Sequence, residues 1–208
     1  LSRPVDHAEQ RPVVASETRF VGRVWSIRTD TVQLDEFTEV VRDVLVHPGA
    51  VGVVALDDSD RMLLIRQYRH AAGSMLWEAP AGLLDVDGEP ALACAKRELL
   101  EETGYLADTW HVLVDYWNSP GGSTEAFRCY LARDLRSAPG GRPEGAAEER
   151  DLPISWVPLA DAVSSIHAGE LGNPTTVIGA LAADSARITG WRTLRPADAS
   201  WPARPDRA

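Results

Sequence analysis

Cysteine is scarce in this chain: Cys94 and Cys129 are the only two in 208 residues. Two thiols in a chain of this length do not make a disulfide framework, so a reducing cytoplasm is the expected compartment and both are expected to be buried and inert. Long apolar runs are also missing. Nothing approaches the roughly 20 residues that a membrane-spanning helix needs, and the opening LSRPVDHAEQRPVVA lacks the apolar centre of a signal peptide. Positive charge is in deficit, 21 Lys and Arg against 31 Asp and Glu, for a net charge of −10. Such a chain is a poor partner for a nucleic-acid backbone. It repels small anions as well, unless local arginines or a bound cation reverse the field. There is no internal repeat and no low-complexity tract.

What is present is enough apolar residue, 44 %, to build a core. The length suits one domain with an added arm. Turn residues divide the chain into a loose, flexible leader (1–18), a β-rich segment (19–48), a main domain (49–190) and a tail (191–208) rich in Arg, Pro and Trp. Within 19–48 the runs RFVGRVWSI, TVQLDEF and EVVRDVLVH read as strands. AVGVVAL and RMLLIRQY are stronger ones, joined by the turn at Asp57–Asp60. Residues 70–90 are expected to be mostly irregular. A helix is predicted over 90–103, with Pro90 in its first turn and Gly104 just past its end. Strands follow near 109–117 and 125–132, then a loop over 137–150. The strand PISWVPL and two helices, from LADAVSSIHA and PTTVIGALAADSA, complete the pattern. The layout is α+β, a mixed or antiparallel sheet with helices on its faces.

The most informative stretch is the end of the 90–103 helix. RELLEETGY (97–105) sets Glu98, Glu101 and Glu102 in its last turn and a half. A helix C-terminus is itself partially negative and favours a cation by about 0.3–1 kcal/mol. Glu98 and Glu102 are also a like-charge i,i+4 pair, which costs a further ~0.2–0.5 kcal/mol. On the helix wheel the three carboxylates share an arc of about 100°, beside an apolar stripe of Leu92, Ala95 and Leu99. Arg97 can pair with Glu101 at i,i+4, a solvated salt bridge that leaves Glu98 and Glu102 unexplained. A divalent cation is the natural missing partner. The bend at Gly82 would bring backbone carbonyls close, and a hard cation takes a carbonyl as readily as a carboxylate.

Residues 82–105, GLLDVDGEPALACAKRELLEETGY, resemble the Nudix box, G-x5-E-x7-R-E-U-x-E-E-x-G-U with U apolar. Gly82, Glu89, Arg97, Glu98, Leu99, Glu101, Glu102, Gly104 and Tyr105 take the pattern positions. The chain departs from it in having six residues between Gly82 and Glu89, an insertion in the loop before the helix, and in Tyr105 for an aliphatic residue. The resemblance implies a Nudix-type α/β/α sandwich with a mixed sheet. It implies hydrolysis of a nucleoside diphosphate linked to another group. It also implies Mg2+, for which Mn2+ can substitute, held by Glu98, Glu102 and the backbone carbonyl of Ala81, with Glu101 joining directly or through water. Arg97 is implied to orient the glutamates.

EAPAG before the box, QYRH at 67–70 and SPGGSTEA at 119–126 are together similar to the ADP-ribose pyrophosphatases. That likeness implies conversion of ADP-ribose to AMP and ribose 5-phosphate by attack of water on one phosphorus. It makes Arg69 and Glu78 substrate-binding candidates, against a surface ion pair for Arg69 and a structural hydrogen bond for Glu78. Ser119, Gly121 and Glu125 become candidate contacts to the ribose or phosphates, against a plain turn. The segment 19–47 is similar to the small antiparallel sheet through which these enzymes form swapped homodimers. Trp25 is then the candidate to stack on adenine, against a buried tryptophan, with Arg23 or Arg42 on its other side. A general base is implied either among the box glutamates, such as Glu102, or on the loop after SPGG, where Glu148 and Glu149 both qualify. Two alternatives stand beside this reading: a Nudix pyrophosphatase for another nucleoside diphosphate derivative (a sugar-nucleotide, NADH or a diadenosine polyphosphate), and a non-catalytic ADP-ribose sensor.

Overall fold

A computed structural model describes residues 3–143 and 152–203. They form two units. The first takes residues 3–49, 117–126 and 200–203, and the second takes 50–116 and the described part of 127–199. The smaller unit therefore gathers pieces from three places in the chain, where a single N-terminal block at 19–48 and a separate tail at 191–208 were expected.

The first unit is built on a three-stranded antiparallel sheet of β1 (Val13–Val21), β2 (Ser26–Asp35) and β3 (Thr38–Val46), with β2 in the middle. β1 corrects the expected leader at 1–18, since it starts at Val13. Every residue of β1 is exposed, so it lacks the apolar alternation by which a half-buried strand is read. Polar ties hold it instead. Ser16 Oγ donates to Asp30 Oδ1 at 2.6 Å and Arg19 Nε to Thr29 Oγ1 at 3.1 Å. The run RFVGRVWSI is not one strand: Gly22 N–H donates to the Trp25 carbonyl, and the turn so closed separates β1 from β2. The end of β3 is tied to the SPGGST segment. Leu45 N–H donates to Gly122 O at 2.8 Å, Thr124 N–H to Leu45 O at 2.9 Å and His47 N–H to Thr124 Oγ1 at 2.9 Å.

The second unit centres on β4 (Ala50–Ala55), buried at all six positions. A short strand covered on both faces needs a continuous apolar run, and AVGVVA supplies one. β4 pairs in parallel with β9 (Ala126–Ser137) and antiparallel with β7 (Ala81–Leu83). With β8 (Tyr105–Trp117) and the two-residue β11 (Arg195–Pro196) they make a mixed sheet in the order β11-β8-β9-β4-β7. A second, antiparallel sheet has β5 (Arg61–Arg69) between β6 (Ser74–Glu78) and β10 (Ile154–Pro158). β6 and β7 correct the expectation that 70–90 is irregular. Both are short and are broken by Pro80, and β7 finds its partner some thirty residues upstream.

Among the described residues three α-helices cover these sheets. α1 (Ala91–Thr103) packs on β4 and β7, α3 (Pro174–Ile188) on β4 and β6, and α2 (Leu159–His167) on α3 and β10. The result is the α/β/α arrangement expected. Val54, Leu56, Met62, Leu64, Leu131 and Leu159 lie at the heart of the core, each essentially inaccessible. A fully buried side chain of this kind contributes about 1.5–3 kcal/mol. None of the helices among the described residues is long and apolar enough to cross a membrane.

Candidate active site

α1 carries the box. Apart from Cys94 and Thr103 its residues, ALACAKRELLEET, are strong helix formers. Pro90, with extended dihedrals, is the N-cap rather than a first-turn residue. Gly104 ends the helix in the left-handed region at φ 74°, its N–H donating to Leu100 O at 2.8 Å. The buried face is Cys94, Ala95, Glu98, Leu99, Glu102 and Thr103. Leu92, expected in the apolar stripe, is half-buried. Two of the three carboxylates are thus inside the protein, Glu98 at 8 % and Glu102 at 4 % exposure. Buried carboxylates require compensating charge or hydrogen bonds.

Arg97 supplies much of it. Its Nε donates to Glu89 Oε1 and its Nη2 to Glu89 Oε2, both at 2.9 Å. Its Nη1 donates to Glu98 Oε1 at 2.6 Å and to Glu101 Oε2 at 3.0 Å. The Arg97–Glu101 pair is therefore present, but it does not stand alone as the spacing suggested. One guanidinium gathers three carboxylates. The hydrogen bond from Arg97 holds the Glu89 carboxyl below its ordinary value of 4.5. Glu102 has another partner, the Ala81 N–H at 3.0 Å.

Gly82 allows the closest approach. A Cβ there would lie 2.0 Å from the Glu98 carboxylate, so only glycine lets Glu98 rest against β7. Ala81, Glu98 and Glu102 thereby share one corner between α1 and β7. Among the described residues no three His, Cys, Asp or Glu side chains already have metal-holding geometry, and two of the three helix carboxylates are hydrogen-bonded to Arg97. The donor chemistry nevertheless fits a hard divalent cation: carboxylate and carbonyl oxygens, with no thiolate or imidazole among them. Cys94 stays apart. It is buried, its thiol donates to Leu83 O at 3.3 Å, and burial pushes it up to about 12. Cys129, also buried, is pushed up to about 12 for the same reason.

Arg69 lies beside the turn of the β5–β6 hairpin, opposite Ser74, and Glu78 lies four residues further along β6, opposite Ile65. Arg69 Nε lies 2.9 and 3.1 Å from the two Glu78 oxygens, and Nη2 donates to Glu78 Oε2 at 2.6 Å. Glu78 is 1 % exposed whereas Arg69 is exposed. A buried anion thus anchors a guanidinium that reaches the surface.

In the first unit, Ser119 has φ 54° and its carbonyl accepts from Gly122 and Ser123 N–H, closing the SPGG turn. Glu125 Oε1 accepts from Asn118 Nδ2 at 3.1 Å. A cavity of about 780 Å3 is lined by Arg28, Arg42, His47, Trp117, Gly121 and Gly122, among others. Trp25 is 39 % exposed and lies 6.1 Å from Phe20. It lines a smaller cavity of about 250 Å3. Trp117 and Arg28 were not singled out from the sequence. The signal for Trp117 was its place two residues ahead of SPGG. Glu148 and Glu149 lie outside the described residues.

An acidic helix packed against a glycine-bearing strand, on a mixed sheet between helices, defines a class. Residues 46–177 match the NUDIX domain, and the chain belongs to the Nudix family of hydrolases. It is 44 % identical over 192 residues to the ADP-ribose pyrophosphatase of Mycobacterium tuberculosis, covering 92 % of this chain and 91 % of that one. A methanol dehydrogenase activator of Bacillus methanolicus is 30 % identical over 169 residues, 81 % of this chain and 90 % of that one. A crystal structure of an ADP compounds hydrolase superposes with a TM-score of 0.75, over 90 % of this chain and 99 % of that one, at 22 % identity. That likeness shows the fold.

Proposed function

We propose that this protein hydrolyses the pyrophosphate of ADP-ribose, with Mg2+, to AMP and ribose 5-phosphate. The observation that carries the reading is the buried pair Glu98 and Glu102 packed against Ala81 and Gly82, in a chain whose 44 % identical relative is an ADP-ribose pyrophosphatase. Glu98, Glu102 and the Ala81 carbonyl hold the cation, with Glu101 beside them. When bound, it neutralises the pyrophosphate and activates water for attack. Arg97 positions Glu98 and Glu101. Arg69, anchored by Glu78, binds a phosphate or ribose oxygen of the substrate.

In the first unit, Ser119, Gly121 and Glu125 belong to the turn assigned to ribose or phosphate. Trp25 is assigned to the adenine, and Trp117 with Arg28 and Arg42 offers a second planar and cationic set. Glu148 or Glu149 serves as general base, closing on its water with substrate bound. The exposed apolar side chains Val13, Val14, Val21, Phe37 and Val41 on the N-terminal sheet support a homodimer. The two free, buried cysteines support a reducing cytoplasm.

A panel of ADP-ribose, a sugar-nucleotide, NADH, diadenosine polyphosphates and nucleoside triphosphates tests the substrate. The highest kcat/KM is expected for ADP-ribose. A higher value for any other member overturns the choice, and tight ADP-ribose binding without turnover favours a sensor.

A further inference from the structure

The chain changes sheets between β6 and β7. Glu78 is the last residue paired to β5, opposite Ile65, and Ala81 is the first paired to β4, opposite Gly52. Ala79 and Pro80 cross between the sheets and are both buried. A crossing of this kind leaves backbone groups without ladder partners, and buried ones must find them elsewhere. Pro80 has no N–H, and its carbonyl accepts from Val53 N–H at 2.8 Å. The Ala79 N–H donates to a side chain nearly a hundred positions away, Thr176 Oγ1, at 2.9 Å. Thr176 is fully buried in the first turn of α3, and its hydroxyl also reaches the Trp77 carbonyl at 3.3 Å. Asn173 fixes Thr176 in turn, its side-chain oxygen accepting from Thr176 N–H at 3.1 Å.

One hydroxyl therefore grips the backbone on both sides of Glu78. The same segment leads through Pro80 to Ala81, whose N–H meets Glu102. We propose that Thr176 is a positioning residue for the active site. Its clamp on Trp77 and Ala79 sets where the Glu78 carboxylate stands under Arg69 and where Ala81 presents its backbone to the cation beside Glu98 and Glu102. This rests on the function proposed above, since it gives those groups their task. Thr175, its neighbour on the helix, is also buried, but its Oγ1 meets the Tyr116 hydroxyl at 3.4 Å instead of the crossing segment. It is the natural control.

The test uses the full chain and two readouts, Mn2+ affinity from the electron paramagnetic resonance of free Mn2+, and kcat with KM for ADP-ribose. Thr176→Val keeps the shape and removes the hydroxyl. It is expected to weaken Mn2+ binding about tenfold and lower kcat about 10–100-fold, as loss of groups supporting metal ligands generally does. Thr176→Ser keeps the hydroxyl and is expected within about threefold of wild type on both readouts. Thr175→Val is expected to lose thermal stability while keeping wild-type Mn2+ affinity and kcat. Wild-type behaviour of Thr176→Val overturns the proposal, as does an equal loss in Thr175→Val, which would mean general loosening of α3. Should Thr176→Val not fold, Thr176→Cys takes its place. Its weaker acceptor is expected to give an intermediate loss of Mn2+ affinity, and an unchanged affinity overturns the proposal. A wild-type protein that turns over no ADP-ribose contradicts the proposed function alone, and the Mn2+ series still decides the role of Thr176.

Discussion

Arg97 and Glu89 form a two-point ion pair, Nε to Oε1 and Nη2 to Oε2, both at 2.9 Å. It binds the loop before α1 to the helix, and it leaves Nη1 for Glu98 and Glu101. The insertion between Gly82 and Glu89 is accommodated ahead of this pair. The helix end that looked electrostatically wrong is therefore partly balanced from within the chain. Arg97 meets two of its three glutamates, and the third is met by a backbone N–H.

Arg97→Lys keeps the charge and removes the fork. Lysine cannot bridge Glu89 in two places while reaching Glu98. A stability loss of about 1–3 kcal/mol is expected in urea unfolding, from hydrogen bonds to charged groups. A fall in kcat of about 10–100-fold should accompany it. Unchanged kcat would show that Arg97 does not position the glutamates.

The pH dependence of stability follows from Glu89. Its folded pKa is depressed by Arg97, so the bridge stabilises the protein fully above the unfolded carboxylate value of 4.5 and is lost as pH falls through the lower folded value. The melting temperature of wild type is expected to exceed that of Glu89→Gln near neutral pH. The gap should close as pH drops below about 4. A gap independent of pH would assign the effect to packing.

Gly82→Ala places a methyl group where the Glu98 carboxylate lies. Either β7 or Glu98 must move, at a cost of about 1–3 kcal/mol for overpacking. Because Glu98 is the flexible member, cation affinity should fall further than stability. Calorimetric titration with Mn2+ alongside thermal melting separates the two, and intact affinity would remove Glu98 from the ligand set.

Glu148→Gln and Glu149→Gln test the base. One variant should lose about 10^2–10^4-fold in kcat while the other stays near wild type, the range expected for loss of general base catalysis. Two equal, small effects would take the loop out of the mechanism and return the role to the box glutamates.

The site was legible where local rules decide it. The periodicity of 90–103, with Pro90 in the first turn and Gly104 just past the end, placed Glu98 and Glu102 on one helix edge before any tertiary information. What was not legible depends on pairing across distance. The Arg69–Glu78 bond exists because the β5–β6 register sets Arg69 opposite Ser74, four residues from Glu78, so that the long arginine side chain reaches it along the hairpin, which neither residue encodes alone. The Trp117 cavity depends on His47 meeting Thr124, 77 positions apart. The first two-thirds of β1 escaped notice because a strand exposed along its whole length leaves no burial pattern to read. Thr176 was hidden because its partners belong to a chain crossing between sheets.

Glu98 and Glu102, held against Ala81 and Gly82, are proposed to form a catalytic cation site acting on ADP-ribose. The decisive measurement is AMP release from ADP-ribose by wild type and by Glu102→Gln, with and without Mg2+. The amide oxygen of the variant can still accept from Ala81 N–H, so the fold should persist with a near-wild-type melting temperature. Mg2+-dependent AMP and ribose 5-phosphate from wild type, slowed more than about 100-fold in Glu102→Gln, is the expected result. A folded Glu102→Gln working at the wild-type rate, or a wild type that releases no AMP with Mg2+, would contradict it.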